Sequence, residues 1–370
     1  MTTMRHISSW LFLAATVVFM FSAFYVAESK DLWGDEVYGI DHSALGRSSP
    51  QLLKKGAPGQ GSNSPLFYLL IRLQNKSKPL SDRLGMSPNI FWRSTSVIAM
   101  VLSALYIWMA FRKTILPPTL AASVAGALLF SRFTFDYAME ARPYALWVLT
   151  TALILSGALS GYRSRWWILP FVWLGFTVNA SIFQMSVMGL TSMITCRVLH
   201  KPFREFHSFW IGIVIGGSVA FYYSLLTLRG APFGYTDTAW GTWPDLLRFM
   251  GHYIPLVAGS ITVGILAYRR QDTEWLFLSL TGIGWYFMAI PMFYFTREKG
   301  FFFTERQYIF WIVILVFNLA GLLTYLLQAW NDSRSEHRIT QAWLFLMLLM
   351  TLWRMDIHKV LLRIANSWIG

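Results

Sequence analysis

Apolar residues in this chain come in long unbroken runs rather than in alternation. The first covers residues 9–27, and others occupy 90–111, 119–135, 144–159, 166–180, 183–199, 209–228, 253–268, 275–295, 308–328 and 341–352. Most are of about 16–22 residues, the length a helix needs to cross a ~30 Å hydrocarbon core at ~1.5 Å per residue. The pattern predicts an all-α polytopic membrane protein of about eleven transmembrane helices in a single integral-membrane domain. Residues 166–199 are too many for one helix, and polar Asn179, Ser181 and Gln184 mark a turn at their centre. The first run follows Arg5, as in a secretory signal, but it is long for such a segment and no A-x-A-like site precedes Asp31. It is therefore expected to remain as the first helix.

Basic residues order the connections. Arg112-Lys113, Arg163 with Arg165, Arg197 with Lys201 and Arg204, Arg269-Arg270, and Arg334 with Arg338 recur at every second loop. The positive-inside rule makes these loops cytoplasmic and puts 28–89, 136–142, 229–252 and 296–307 on the far side. Loop 28–89 carries its own Lys and Arg, but it reaches the ~60-residue length beyond which loop charge ceases to govern orientation. Within it, 55–64 reads as a Gly-rich connector. Residues 65–73 are apolar yet too few to span, so they predict a helix lying in the interface, with Tyr68 and Arg72 towards the headgroups.

Composition agrees with this picture. The 370 residues are 55% apolar and 13% charged, which excludes disorder and argues against a soluble domain. The formal charge of +13 is dispersed among the apolar runs, so it marks cytoplasmic loops and an anionic lipid or phosphate partner rather than nucleic acid. Cys196 is the only cysteine, which rules out an internal disulfide and predicts a buried, inert thiol.

The polar groups able to carry chemistry fall in three far-side elements. Asp35-Glu36 with Asp41 and His42 follows the first run; Asp136, Glu140, Arg142 and Tyr144 stand at the junction of two runs; Glu305, Arg306 and Tyr308 open a late one. Carboxylates held at the end of a spanning helix are costly to desolvate, and such groups serve to bind cations or move protons.

These motifs resemble those of the C-type membrane glycosyltransferases, which use polyprenyl-phosphate sugars. The likeness is greatest to the bacterial branch that includes the lipid A aminoarabinose transferases, and the chain is also similar to the protein O-mannosyltransferases. Asp35-Glu36 stands where the family has an acidic pair after the first helix. Residues 140–146, Glu-Ala-Arg-Pro-Tyr-Ala-Leu, reproduce its second-loop motif, and Arg306-Gln307-Tyr308 matches a late Arg-Tyr element loosely. Asn63-Ser64-Pro65-Leu66-Phe67-Tyr68 corresponds to an interfacial His-Pro-Pro-Leu-Tyr-Tyr segment, with Asn63 and Ser64 in place of His and Pro. The resemblance implies sugar transfer, with inversion, to an extracytoplasmic glycan, lipid or protein at the bacterial inner membrane.

Such a reaction needs a base for the acceptor hydroxyl and positive charge for the departing phosphate. Asp35 is the expected base, with Glu36 as a second catalytic carboxylate. Asp35, Glu36 and Glu140 together are the candidate ligands of a divalent cation. Asp136, Asp41 and His42 are expected near the acceptor or metal, Arg142 and Arg306 at the donor phosphate, and Tyr68, Tyr144 and Tyr308 near substrate. No nucleotide-binding loop is present, which suits a donor delivered on a lipid. The alternatives are a polytopic transporter, which would carry ionisable groups at mid-membrane, and a non-catalytic lipid-binding or flippase-associated relative of the fold.

Overall fold

The computed structural model describes residues 2–57, 64–162, 164–229, 242–298, 308–331 and 338–369. Among these residues every regular element is helical. Five helices are long and apolar enough to cross a membrane: His6–Glu28, Pro88–Phe111, His207–Thr227, Thr273–Tyr294 and Trp311–Asn331. Two bent pairs, Pro118–Leu129 with Arg132–Ala138 (55°) and Trp243–His252 with Ile254–Arg269 (51°), raise the number to seven if each pair crosses as one. The chain is thus an α-helical membrane protein.

The expected eleven spans are not met. Tyr144–Ala158 has 15 residues and Ile168–Thr177 has 10. At ~1.5 Å per residue these reach only about 22 Å and 15 Å, short of a ~30 Å core. Nearly every side chain of Tyr144–Ala158 is buried, from Ala145 and Trp147 to Ala158. An apolar run records burial, and protein neighbours can bury a helix as completely as lipid does.

Local chemistry explains the breaks. Pro88 opens its helix behind Ser87, whose hydroxyl accepts the Ile90 N–H at 3.3 Å. Ser131 does the same for the second half of the first bent pair, accepting from Thr134 N–H at 3.4 Å. In the second pair Pro255 has no N–H to continue the preceding helix and begins a new one. Elsewhere helices approach closely. A Cβ on Gly216 would fall 2.3 Å from the Phe171 carbonyl, and one on Gly175 would fall 2.4 Å from the Gly216 carbonyl. Ile168–Thr177 and His207–Arg229 therefore touch backbone to backbone.

The connector after the first helix folds into short helices: Gly34–Tyr38, a π-helical turn Gly39–Leu45, Ser49–Lys55, Leu66–Asn75 and Lys78–Arg83. The helix expected at 65–73 is present as Leu66–Asn75, but its polar residues do not point outwards. Tyr68 is buried, and Arg72 donates to the Ala44 carbonyl at 3.3 Å and the Arg47 carbonyl at 2.6 Å, satisfying the end of the π-helical turn. Tyr223 and Tyr222 anchor the Ser49–Lys55 helix through the Leu53 and Lys54 carbonyls, each at 2.7 Å. The Ser64 hydroxyl donates to the Gly175 carbonyl at 3.3 Å. The connector thus lies across one end of the bundle.

Candidate functional site

Asp35 and Glu36 are consecutive in a helix, so their side chains leave it about 100° apart. They meet different surroundings. Glu36 turns inwards, with no exposed surface, onto an equally buried Arg93. The Arg93 guanidinium donates through Nε to Oε1 at 3.0 Å and through Nη2 to Oε2 at 2.8 Å. The same carboxylate accepts the Ala141 N–H on Oε1 at 2.6 Å and the Trp33 N–H on Oε2 at 3.2 Å. Arg93 spends its remaining donors on carbonyls at the end of the first helix: Ala27 and Asp31 at 2.9 Å each, and Lys30. One ion pair therefore ties together the first helix, the Pro88–Phe111 helix, the acidic turn and the 139–143 turn.

Asp35 turns outwards. Its side chain is 52% exposed, and its Oδ2 accepts from Arg142 Nη2 at 2.5 Å. Arg142 is itself largely buried, lying 4.7 Å over the Trp33 ring and 5.8 Å from the Tyr144 ring. Burial opposes its charge, yet Tyr144, Asp35, Glu140 and Tyr68 around it prevail and hold the guanidinium above its ordinary value. Tyr68 completes the group. Burial pushes its phenol far above the usual range, only partly offset by Arg142, so it remains a hydroxyl donor. Its ring packs 3.5 Å from the position a Cβ would take on Gly39.

The structure sorts the expected site residues accordingly. Asp35, Arg142, Tyr144 and Tyr68 converge, although Asp35 and Arg142 stand 107 positions apart. Glu140 is buried beside them; its carbonyl accepts the Ser96 hydroxyl at 2.6 Å and its charge acts on Arg142. Asp41 and His42 are exposed on the following turn, where the His42 ring rests 4.7 Å from that of Tyr38. Asp136 faces elsewhere, paired with Arg363 at 2.7 Å and Arg132 at 3.6 Å. Tyr308 is buried among aromatic rings, 5.1 Å from Phe249 and 4.9 Å from Trp311. Arg306, with Glu305 and Asn63, lies outside the described residues.

Of the carboxylates expected to hold a divalent cation, Glu36 has no lone pair left for one. Each Glu36 oxygen already accepts two N–H groups, which fills the roughly four lone-pair positions of a carboxylate. Among the described residues no group of three or more His, Cys, Asp or Glu side chains is placed to hold a metal.

Arg93 was not among the sequence candidates, although a signal existed. It is the one charged residue in the run 90–111, and an ionisable residue in a spanning segment calls for a partner. Comparison with known proteins finds no matching family model and no matching curated protein.

Proposed function

We propose that the chain is a membrane glycosyltransferase of the C type, transferring a sugar from a polyprenyl-phosphate donor to an acceptor hydroxyl. The observation that carries this reading is the meeting of a half-exposed Asp35 with a largely buried Arg142 at 2.5 Å. It pairs a potential base with a guanidinium suited to phosphate, on the two motifs that resemble the family.

In this reading Asp35 takes the proton of the acceptor hydroxyl as its oxygen bonds to the anomeric carbon. The bond from that carbon to the phosphate oxygen breaks, and the polyprenyl phosphate leaves with the electron pair. Arg142 faces the charge that develops there, joined by Arg306 if the late motif reaches the site. Tyr68 and Tyr144 line the path of the sugar, and Trp33, under the Arg142 guanidinium, fixes its plane. Glu36 is assigned to positioning: through Arg93 and the Ala141 N–H it sets the acidic turn against the turn that carries Arg142. Arg112-Lys113, at the other end of the Pro88–Phe111 span from the acidic turn, supports an extracytoplasmic site, and the family resemblance suggests a bacterial inner membrane.

The test is sugar transfer from a synthetic polyprenyl-phosphate donor in detergent, with donor affinity measured separately. Asp35→Asn keeps the shape and removes the basic carboxylate, so turnover should fall on the order of 10²–10⁴-fold while donor affinity is largely kept. Near-normal turnover would refute the role of Asp35, and absence of transfer by the unaltered protein across a panel of such donors would sink the reading as a whole.

A further inference from the structure

A second charged cluster takes no part in this mechanism. The helix Arg338–Arg354 ends at Arg354, and Asp356, in the left-handed conformation (φ 53°), turns the chain into helix Ile357–Ile369. Arg354 and Lys359 share the Asp356 carboxylate at 3.5 Å and 3.0 Å, while Arg363 and Arg132 share Asp136. The Arg132 N–H donates to the Met355 carbonyl at 3.1 Å and joins the two pairs. Four cations thus share two carboxylates, which leaves an excess of positive charge. Arg354 is held 4.0 Å over the Tyr253 ring, and its buried Nε has no hydrogen-bond partner among the described residues.

Next to this cluster is an apolar groove of about 270 Å³ between the first helix and Pro118–Leu129. Leu11, Ala15, Gly126 and Ala127 line its length, and Phe130 and Ile357 lie at its end. Those two end residues stand within three positions of Arg132, Arg354 and Lys359 in the chain. From Ala122, which also lines it, to Phe130 the helix rises about 12 Å. The last helix adds an indication of depth. It buries Val360 and Ile364 but exposes Leu361, Leu362, Lys359 and Arg363, the distribution of a helix lying at the headgroup boundary.

We propose that this end of the bundle binds one anionic diacyl phospholipid, with its phosphate against Arg132, Arg354 and Lys359 and one acyl chain along the groove. Charge complementarity selects an anionic headgroup, and the mostly apolar lining of the groove selects a chain. The site uses none of Asp35, Arg142, Tyr144 or Tyr68, so it does not rest on the glycosyltransferase reading.

The experiment is native mass spectrometry of the full chain in mild detergent, incubated with equal amounts of phosphatidylglycerol and phosphatidylcholine. The unaltered protein should retain phosphatidylglycerol preferentially. The double variant R132Q/K359Q should lower that preference roughly thirtyfold, since each of the two cations near an anionic headgroup contributes about one kilocalorie per mole. S123L, at an exposed lining position, should fill the groove from the lipid side and lower retention of both lipids, with an unchanged melting transition confirming the fold. Equal retention of the two lipids by the unaltered protein, or a preference unchanged in R132Q/K359Q, overturns the headgroup site. Retention unchanged in S123L overturns the chain site. Displacement of phosphatidylglycerol by equimolar polyprenyl phosphate, without the reverse, overturns the phospholipid assignment and gives the groove to an isoprenoid.

Discussion

Replacing Arg93 by Met removes the cation from the buried pair while keeping much of the side-chain volume. What remains is the Glu36 carboxylate, still without solvent contact, held only by the Trp33 and Ala141 N–H groups. Removing one partner of a buried ion pair typically costs about 3–5 kcal/mol, because the other charge is left in a medium that cannot solvate it. The carbonyls of Ala27, Lys30 and Asp31 also lose a charged donor. Those of Lys30 and Asp31 are only part-buried contacts and regain water, so this loss adds about 1 kcal/mol rather than three full hydrogen bonds. The total, roughly 4–6 kcal/mol, is a large part of the ~5–15 kcal/mol that stabilises a typical fold. Arg93→Lys should recover only part of it, since an ammonium cannot reproduce the two-pronged contact with both carboxylate oxygens. The assay is a double-mutant cycle of unfolding in detergent with Arg93→Met, Glu36→Leu and the double variant. The double variant should be more stable than Arg93→Met alone, with a coupling energy larger than the cost of Glu36→Leu alone, because it no longer buries an unpaired charge. Independent, additive effects of the two substitutions would refute the reasoning, since the pair would then not be the element that joins these segments.

Other consequences are open to test. Arg142→Lys should keep the charge beside Asp35 but lose the flat guanidinium that stacks on Trp33, weakening donor affinity about tenfold or more in a binding assay while the melting temperature changes little. Burial raises the Asp272 carboxyl above its ordinary value of 3.8, so the folded state holds its proton more tightly than the unfolded chain does. Stability should therefore decline as pH rises from about 3.8 through the raised value, and Asp272→Asn, which keeps the acceptor for the Trp275 N–H, should flatten that part of the pH profile of unfolding. Gly216→Val should destabilise the fold by more than the 1–3 kcal/mol of ordinary overpacking, because its Cβ would meet the rigid Phe171 carbonyl at 2.3 Å; a Gly216→Val protein that unfolds like the unaltered one would contradict the close helix contact.

Much of this protein is legible along the chain. The apolar runs identify helices and a membrane setting, because a helix in lipid satisfies its own backbone and needs only apolar side chains over sufficient length. The acidic pair after the first helix and the 140–146 segment stand out for the same reason: charged groups beside such runs are expensive and rarely accidental. The short helix at 66–75 announces itself through Pro65 and an apolar stretch too brief to span.

Which partner each of these residues meets was decided by the tertiary structure. Asp35 and Glu36 are equivalent in composition, and only the direction of a single helical turn sends one to solvent and the other to Arg93. Arg93 reads as a lone cation in an apolar run until Glu36, 57 positions away, is packed against it. Asp136 lies within a few residues of Glu140, yet a helix from the far end of the chain supplies its partner, Arg363. The number of spans was likewise undecided by hydropathy. A helix of 15 apolar residues surrounded by protein and one of 20 surrounded by lipid carry the same pattern, and only the packing of the other helices distinguishes them.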